Sequence, residues 1–292
     1  ALPLMVTFAD YGIGKLESNR TYVLALNQVG GASASTPSTS NGESTKSSLN
    51  TISTSQPQTP SASASLPSGR VITIPVKNGV SIEMVRVKSG SFDMGNVFDE
   101  PIHRVTLTND YYLGKYEVTQ ALWKTVMGNH PSFFKEDNNP VEQVSWDDCQ
   151  IFIEKLNALT GFHFRLPTEA EWEYAERGGR KSRGYRYSGS NTLGDVAWHN
   201  GNSGSKTHTV GTKQPNELGI YDMTGNVAEW CQDVYGPYAS GSLKNPMGAK
   251  EGKKRVVRGD DYSAIFNFRQ PRLGVSSENK SRYCGFRLAI SK

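Results

Sequence analysis

The residues of this chain whose types could do chemistry are few: three cysteines, five histidines, and a C-terminal stretch crowded with aromatic and arginine side chains. Cys149, Cys231 and Cys284 are too few for a disulfide-dense scaffold, and one bridge plus a free thiol and three core thiols both remain open. His103, His163, His199 and His208 do not fall at the His-Glu-x-x-His spacing that sets two imidazoles on one helix face. Between Asp260 and Arg282 the side chains of Tyr262, Phe266, Phe268, Arg269, Arg272 and Arg282 are of the types that dominate binding hot spots. Arg165-Leu-Pro-Thr-Glu suits a helix start, with Arg165 in a salt bridge, and Trp146, Trp172 and Trp230 read as core aromatics.

The elements that must position these residues begin after a change of composition. Residues 31–69 are almost entirely Ser, Thr, Ala, Pro, Asn, Gln and Gly, too polar to offset ordering entropy, and read as a linker. Residues 1–30 hold two strand-like pieces, a short β segment or part of a β-domain, and 70–292 reads as one domain. Strands are predicted at Val71–Ile74, Ile82–Val87, Gly90–Gly95 and Arg104–Leu107. Cap chemistry predicts helices from Thr119 to Gly128, from Ser145 to about Gly161, and from Thr168, where Thr168-Glu169-Ala170-Glu171 forms a capping box. Past Gly178 the chain turns irregular, which gives an α+β class with much loop structure.

Net charge is only +4 and the basic residues are mixed with acids, which excludes a nucleic-acid-binding stripe. No apolar run reaches the roughly 18 residues of a membrane span. The first residues are too short and uncharged a stretch for a signal peptide.

Motifs in a fixed order cover 71–292: Gly90-Ser-Phe-Asp-Met-Gly95, Glu100-Pro-Ile-His-Arg-Val105, Tyr116-Glu-Val-Thr119, Pro140-Val-Glu-Gln-Val-Ser-Trp146, Arg165-Leu-Pro-Thr-Glu-Ala-Glu-Trp-Glu173, Gly219 to Trp230, Arg255-Val-Val-Arg-Gly259 and Gly285-Phe-Arg-Leu-Ala289. This set resembles the formylglycine-generating-enzyme, or sulfatase-modifying-factor, family. The resemblance implies a C-type-lectin-like fold with a small mixed sheet, few helices and much ordered loop. It also implies a copper(I)-binding cysteine pair five residues apart, because soft thiolates suit Cu(I). The matching positions here are Ala264 and Arg269, so copper is not expected. The iron-dependent relatives' His-x-x-x-His-x-Glu helix is absent as well.

Asp260-Asp261 stands where the family has Gly-Ser, placing charge and a Cβ in a compact turn. The family's structural calcium site carries over to Asp222, Gly225, Val227 and Glu229, a hard-oxygen set suited to Ca²⁺. The expectation is a noncatalytic domain that binds a protein or glycan through the loop surface 260–282, outside the cytoplasm, with a lipid anchor compatible with its linker. The alternatives are a scaffold subunit of a bacterial envelope assembly, or an oxidoreductase with a relocated site at Cys231 and Cys284.

Overall fold

The computed structural model describes residues 66–96, 100–265 and 272–292. The expected β segment 1–30 and nearly all of the linker lie outside these residues. Leu66 and Gly69 already belong to the domain: Leu66 packs against its core, and the Tyr112 hydroxyl donates to the Gly69 carbonyl at 2.9 Å.

Five strands come first: β1 (Val71–Pro75), β2 (Ser81–Val87), β3 (Gly90–Asn96), β4 (Glu100–Leu107) and β5 (Tyr111–Gly114). Helices α1 (Gln120–Met127) and α2 (Trp146–Thr160), the short β6 (Phe164–Arg165) and helix α3 (Glu169–Glu176) follow. After the single turn α4 (Leu193–Val196) come β7 (Ala228–Val234), β8 (Leu243–Lys244), β9 (Lys254–Arg258), β10 (Leu273–Ser276), β11 (Cys284–Gly285) and β12 (Ala289–Ser291).

The caps act as the sequence predicts. The Thr119 side chain accepts from the Leu122 N–H, and Gly128 ends α1 in the left-handed region that costs glycine no Cβ clash. Ser145 with Asp148 and Thr168 with Glu171 close full capping boxes on α2 and α3. Glu171 also receives both arms of the Arg165 guanidinium, at 2.6 and 2.7 Å.

Three sheets result, in the orders β1-β2-β5-β12-β6, β10-β9-β7-β11 and β3-β4-β8. The last strand, β12, inserts between β5 and β6, so the end of the domain is stitched into strands made near its beginning. One core cluster gathers α1, α2 and the β12 sheet around Trp123, Phe152 and Phe286. A second lies beneath α3 and β3, around Met94, Trp172 and Tyr111. The three predicted core indoles are buried and satisfied: Trp146 donates to the Cys231 carbonyl, Trp172 to Glu229 Oε2 and Trp230 to the Val144 carbonyl. Among the described residues, no helix is long and apolar enough to cross a membrane.

Candidate functional site

The loop ahead of β7 carries an unusual backbone. Asp222, Gly225 and Asn226 all have positive φ, at 56°, 82° and 68°. Two of these are not glycine, and such backbone persists only where its surroundings fix it. Gly225 has no alternative, because a Cβ there would lie 2.3 Å from the Trp198 carbonyl oxygen.

Beneath the loop, Glu117, Asp222 and Glu229 are buried with the guanidinium of Arg287. Arg287 Nε and Nη2 each donate to Glu229 at 2.6 Å, and Trp172 Nε1 adds a third bond to the same carboxylate. Glu117 accepts from Asn226 Nδ2 at 2.7 Å and from the Val227 N–H at 3.1 Å. Asp222 Oδ2 accepts from the Gly211 N–H, while Oδ1 is buried with no hydrogen-bond partner. Burial, then the neighbouring Asp222 and Glu229, pushes Glu117 well above the carboxylate range. Burial raises Asp222 to about 6.

Three acids against one arginine, with one orphaned oxygen, is an arrangement a cation would complete. The residues therefore fit the calcium expectation at Asp222, whereas Glu229 would have to share its carboxylate with Arg287. Among the described residues no three His, Cys, Asp or Glu side chains converge on one point. The backbone carbonyls of Gly225 and Val227 would thus have to fill out any calcium shell.

The Tyr262 N–H donates to the Asn226 carbonyl and joins this loop to the C-terminal segment. There the charge of Asp261 is absorbed locally. Its Oδ1 accepts from the Ser263 N–H at 2.7 Å and from the Ser263 hydroxyl at 2.6 Å, and burial pushes it up to about 6.

Tyr262 lies in an aromatic chain. It stacks on Tyr283 at 5.2 Å and meets Phe134 edge-on at 5.5 Å, and Phe134 meets Phe133 at 5.0 Å. The Arg282 guanidinium caps the chain, 5.3 Å from the Phe133 ring centroid and 5.1 Å from that of Tyr283. Below, Glu142 Oε1 accepts from the Phe134 N–H at 2.9 Å. Glu142 Oε2 and the Tyr262 hydroxyl are buried, the hydroxyl beside Tyr283 and the carboxylate beside the Phe133 and Phe134 backbone. Burial pushes the Glu142 carboxyl up to about 7. Phe133 is 56% exposed, and Ile265, three residues on from Tyr262, is 65% exposed.

Of the eight predicted contact residues, Tyr262 and Arg282 build this face, with Asp260 and Asp261 beside it. Phe266, Phe268 and Arg269 lie outside the described residues. Arg272 does not belong to the face: it is buried in an ion pair, its Nε donating to Glu169 at 2.8 and 3.0 Å, with Tyr235 and Tyr238 against its guanidinium. Sequence reasoning missed Phe133, Phe134 and Glu142, which come from the α1–α2 connection. An adjacent Phe pair in an otherwise polar loop was the available signal.

The thiols take no part in this face, although Cys284 follows Tyr283 directly. Cys149, Cys231 and Cys284 are free and buried, and burial pushes each thiol well above its ordinary range. Cys149 and Cys284 belong to one core cluster and Cys231 to the other. Ala264 is itself buried.

The fold, the motifs and the loop geometry define one class of protein, and residues 74–292 match the model of the sulfatase-modifying factor enzyme 1-like domain. The chain belongs to this family. It is 39% identical over 207 residues to the chaperone protein LppX of Paenibacillus barcinonensis, covering 52% of this chain and 71% of that one. It is 32% identical to the formylglycine-generating enzyme of Streptomyces coelicolor, covering 59% of each chain. Among solved structures, Treponema denticola variable protein 1 superposes with a TM-score of 0.71 at 31% identity, over 77% of this chain and all of that one.

Proposed function

We propose that this domain is a noncatalytic binding module that takes a protein or glycan ligand on the face formed by Phe133, Ile265, Arg282 and Tyr283. One observation carries the reading. Phe133 stands 56% exposed with the Arg282 guanidinium 5.3 Å from its ring centroid, an aromatic and arginine pairing of the kind that dominates binding hot spots. The alanine at position 264 supports the noncatalytic half of the reading, since an alkyl side chain offers copper no ligand.

Calcium enters this proposal as a structural ion. Asp222 and Glu229 would supply its carboxylate oxygens and Gly225 and Val227 its carbonyls. Bound there, it would supply positive charge beside Glu117 and Asp222 and hold the loop that hydrogen-bonds Tyr262. A site outside the cytoplasm is part of the same proposal and rests on the Ser/Thr/Pro-rich composition of 31–69.

The test is a screen of a glycan array and a displayed peptide library with the whole chain, repeated with Phe133→Ala and Arg282→Ala. Ligands that lose at least about tenfold in affinity with both variants, the equivalent of ~1.4 kcal/mol, support the face. Ligands that bind both variants as tightly as the unaltered chain would move the function elsewhere on the molecule.

A further inference from the structure

A second site lies at the opposite end of β7. A cleft of about 390 Å³ opens between β4, the N-terminus of α3 and the 237–250 segment, with Met94, Leu243 and Met247 among its apolar walls. Two residues with hydrogen-bond acceptors line it. His103 is only 9% exposed and lines the cleft, and its Nε2 is buried with no partner. Its Nδ1 lies 3.1 Å from the Pro101 carbonyl, which can only accept, so Nδ1 carries the proton. In the neutral imidazole Nε2 is therefore an unpaired acceptor buried in the wall of the cleft. Asp233 is the second acceptor. Its Oδ2 takes the Glu169 N–H at 2.8 Å and its other oxygen is left to the cleft.

The wall behind these two groups is fixed. Tyr238 is wedged between the His103 ring, at 4.6 Å, and the Arg272 guanidinium, at 4.2 Å, and its hydroxyl donates to Glu169 at 2.7 Å. Arg272 spends its Nε on Glu169 and an Nη on the Gly236 carbonyl. The guanidinium is thus already matched by a carboxylate, so an anion entering the cleft would meet Asp233 with Lys250, exposed at its edge, as the remaining cation. A hydroxyl has one proton to give and would serve one acceptor. An ammonium has three donors and no lone pair, and its charge answers that of Asp233.

We propose that this cleft binds a primary ammonium group on an apolar stem, with Asp233 and His103 Nε2 accepting from the ammonium and the methionine and leucine walls enclosing the stem. A small alkylamine and the lysine side chain of a partner protein share this chemistry. The electrostatics agree with the geometry. Burial, then the adjacent Glu169, raises the Asp233 carboxyl to about 7, with Glu171 adding to the rise and Arg272 opposing it. The other ionisable groups around it are Cys231 on its own strand, His103 on β4, and Tyr238 and Lys250 from the segment between β7 and β9. An ammonium would displace the proton that Asp233 retains, so binding strengthens as pH rises through about 7 and then levels.

Isothermal titration of the whole chain with n-hexylamine, n-hexanol and hexanoate tests this. The expected result is at least about tenfold tighter binding of the amine than of either comparator, with proton release seen as a dependence on buffer ionisation heat. Asp233→Asn and His103→Phe should each weaken the amine by a similar factor. If either variant fails to fold, the His103 imidazole nitrogen resonances of the unaltered chain should still shift on adding hexylamine. An acetylated, amidated Gly-Lys-Gly peptide that binds as well as hexylamine identifies a lysine side chain as the natural occupant. A peptide that binds less well identifies a free amine. No binding of hexylamine, equal binding of hexanol or hexanoate, or unmoved His103 resonances with bound amine would overturn the proposal.

Discussion

Arg287 and Glu229 meet through two hydrogen bonds of 2.6 Å with side chains 0% and 1% exposed, and they tie the segment leading into β12 to the second residue of β7. The same guanidinium donates to the carbonyls of Gly114 and Tyr221, so one buried side chain satisfies four acceptors from three segments. A buried pair of this kind is costly to break from one side, because the partner is left charged in a dry interior.

Arg287→Met should therefore destabilise the domain by roughly 3–5 kcal/mol in denaturant unfolding. Adding Glu229→Gln should recover part of that loss, because glutamine removes the stranded charge and its carbonyl still accepts from Trp172. A double variant less stable than the single one would show that the charge itself contributes nothing.

The buried acids set the pH dependence. Asp222 and Asp261 are raised to about 6 and Glu142 and Asp233 to about 7, all by burial first. Each binds protons more tightly folded than unfolded, so its contribution is present at low pH and is lost as pH rises through the folded value. The calcium-free protein should thus be more stable near pH 5 than near pH 8, the reverse of a protein held by depressed carboxylates. Thermal unfolding in chelator across that range checks the sign. Glu142→Gln should flatten the upper part of the curve.

Calcium should raise Tm most at the alkaline end, where Asp222 is ionised. A site saturated at a hundred times its dissociation constant adds about 2.7 kcal/mol. Asp222→Asn should remove most of the calcium response. A Tm that ignores both calcium and chelator would retire the ion from the account.

The thiols should be silent. With all three buried and pushed up, a disulfide-exchange reagent should label none in the native protein and three in denaturant. Rapid native labelling of Cys231 or Cys284 would reopen the oxidoreductase alternative.

What could be read from the sequence is what local chemistry determines. Thr119, Ser145 and Thr168 cap their helices through atoms within a few residues, so spacing alone located α1, α2 and α3. Arg287 was readable only as part of a motif, because its role depends on β12 returning between strands formed far earlier in the chain. Arg272 shows the converse error. An arginine among aromatic neighbours reads the same whether it faces solvent or pairs with Glu169, 103 residues away. Phe133 stood in a polar loop and Glu142 in a motif, with nothing local to say that the fold brings this connection to Tyr262.

The most direct test of the central claim is copper(I) binding by the whole chain under anaerobic, reducing conditions against a competing chelator. The account predicts no tight stoichiometric binding, because Ala264 and the buried core thiols offer no exposed thiolate pair. Tight binding of one equivalent, lost on Cys231→Ser or Cys284→Ser, would contradict it and make the domain an enzyme with a relocated metal site.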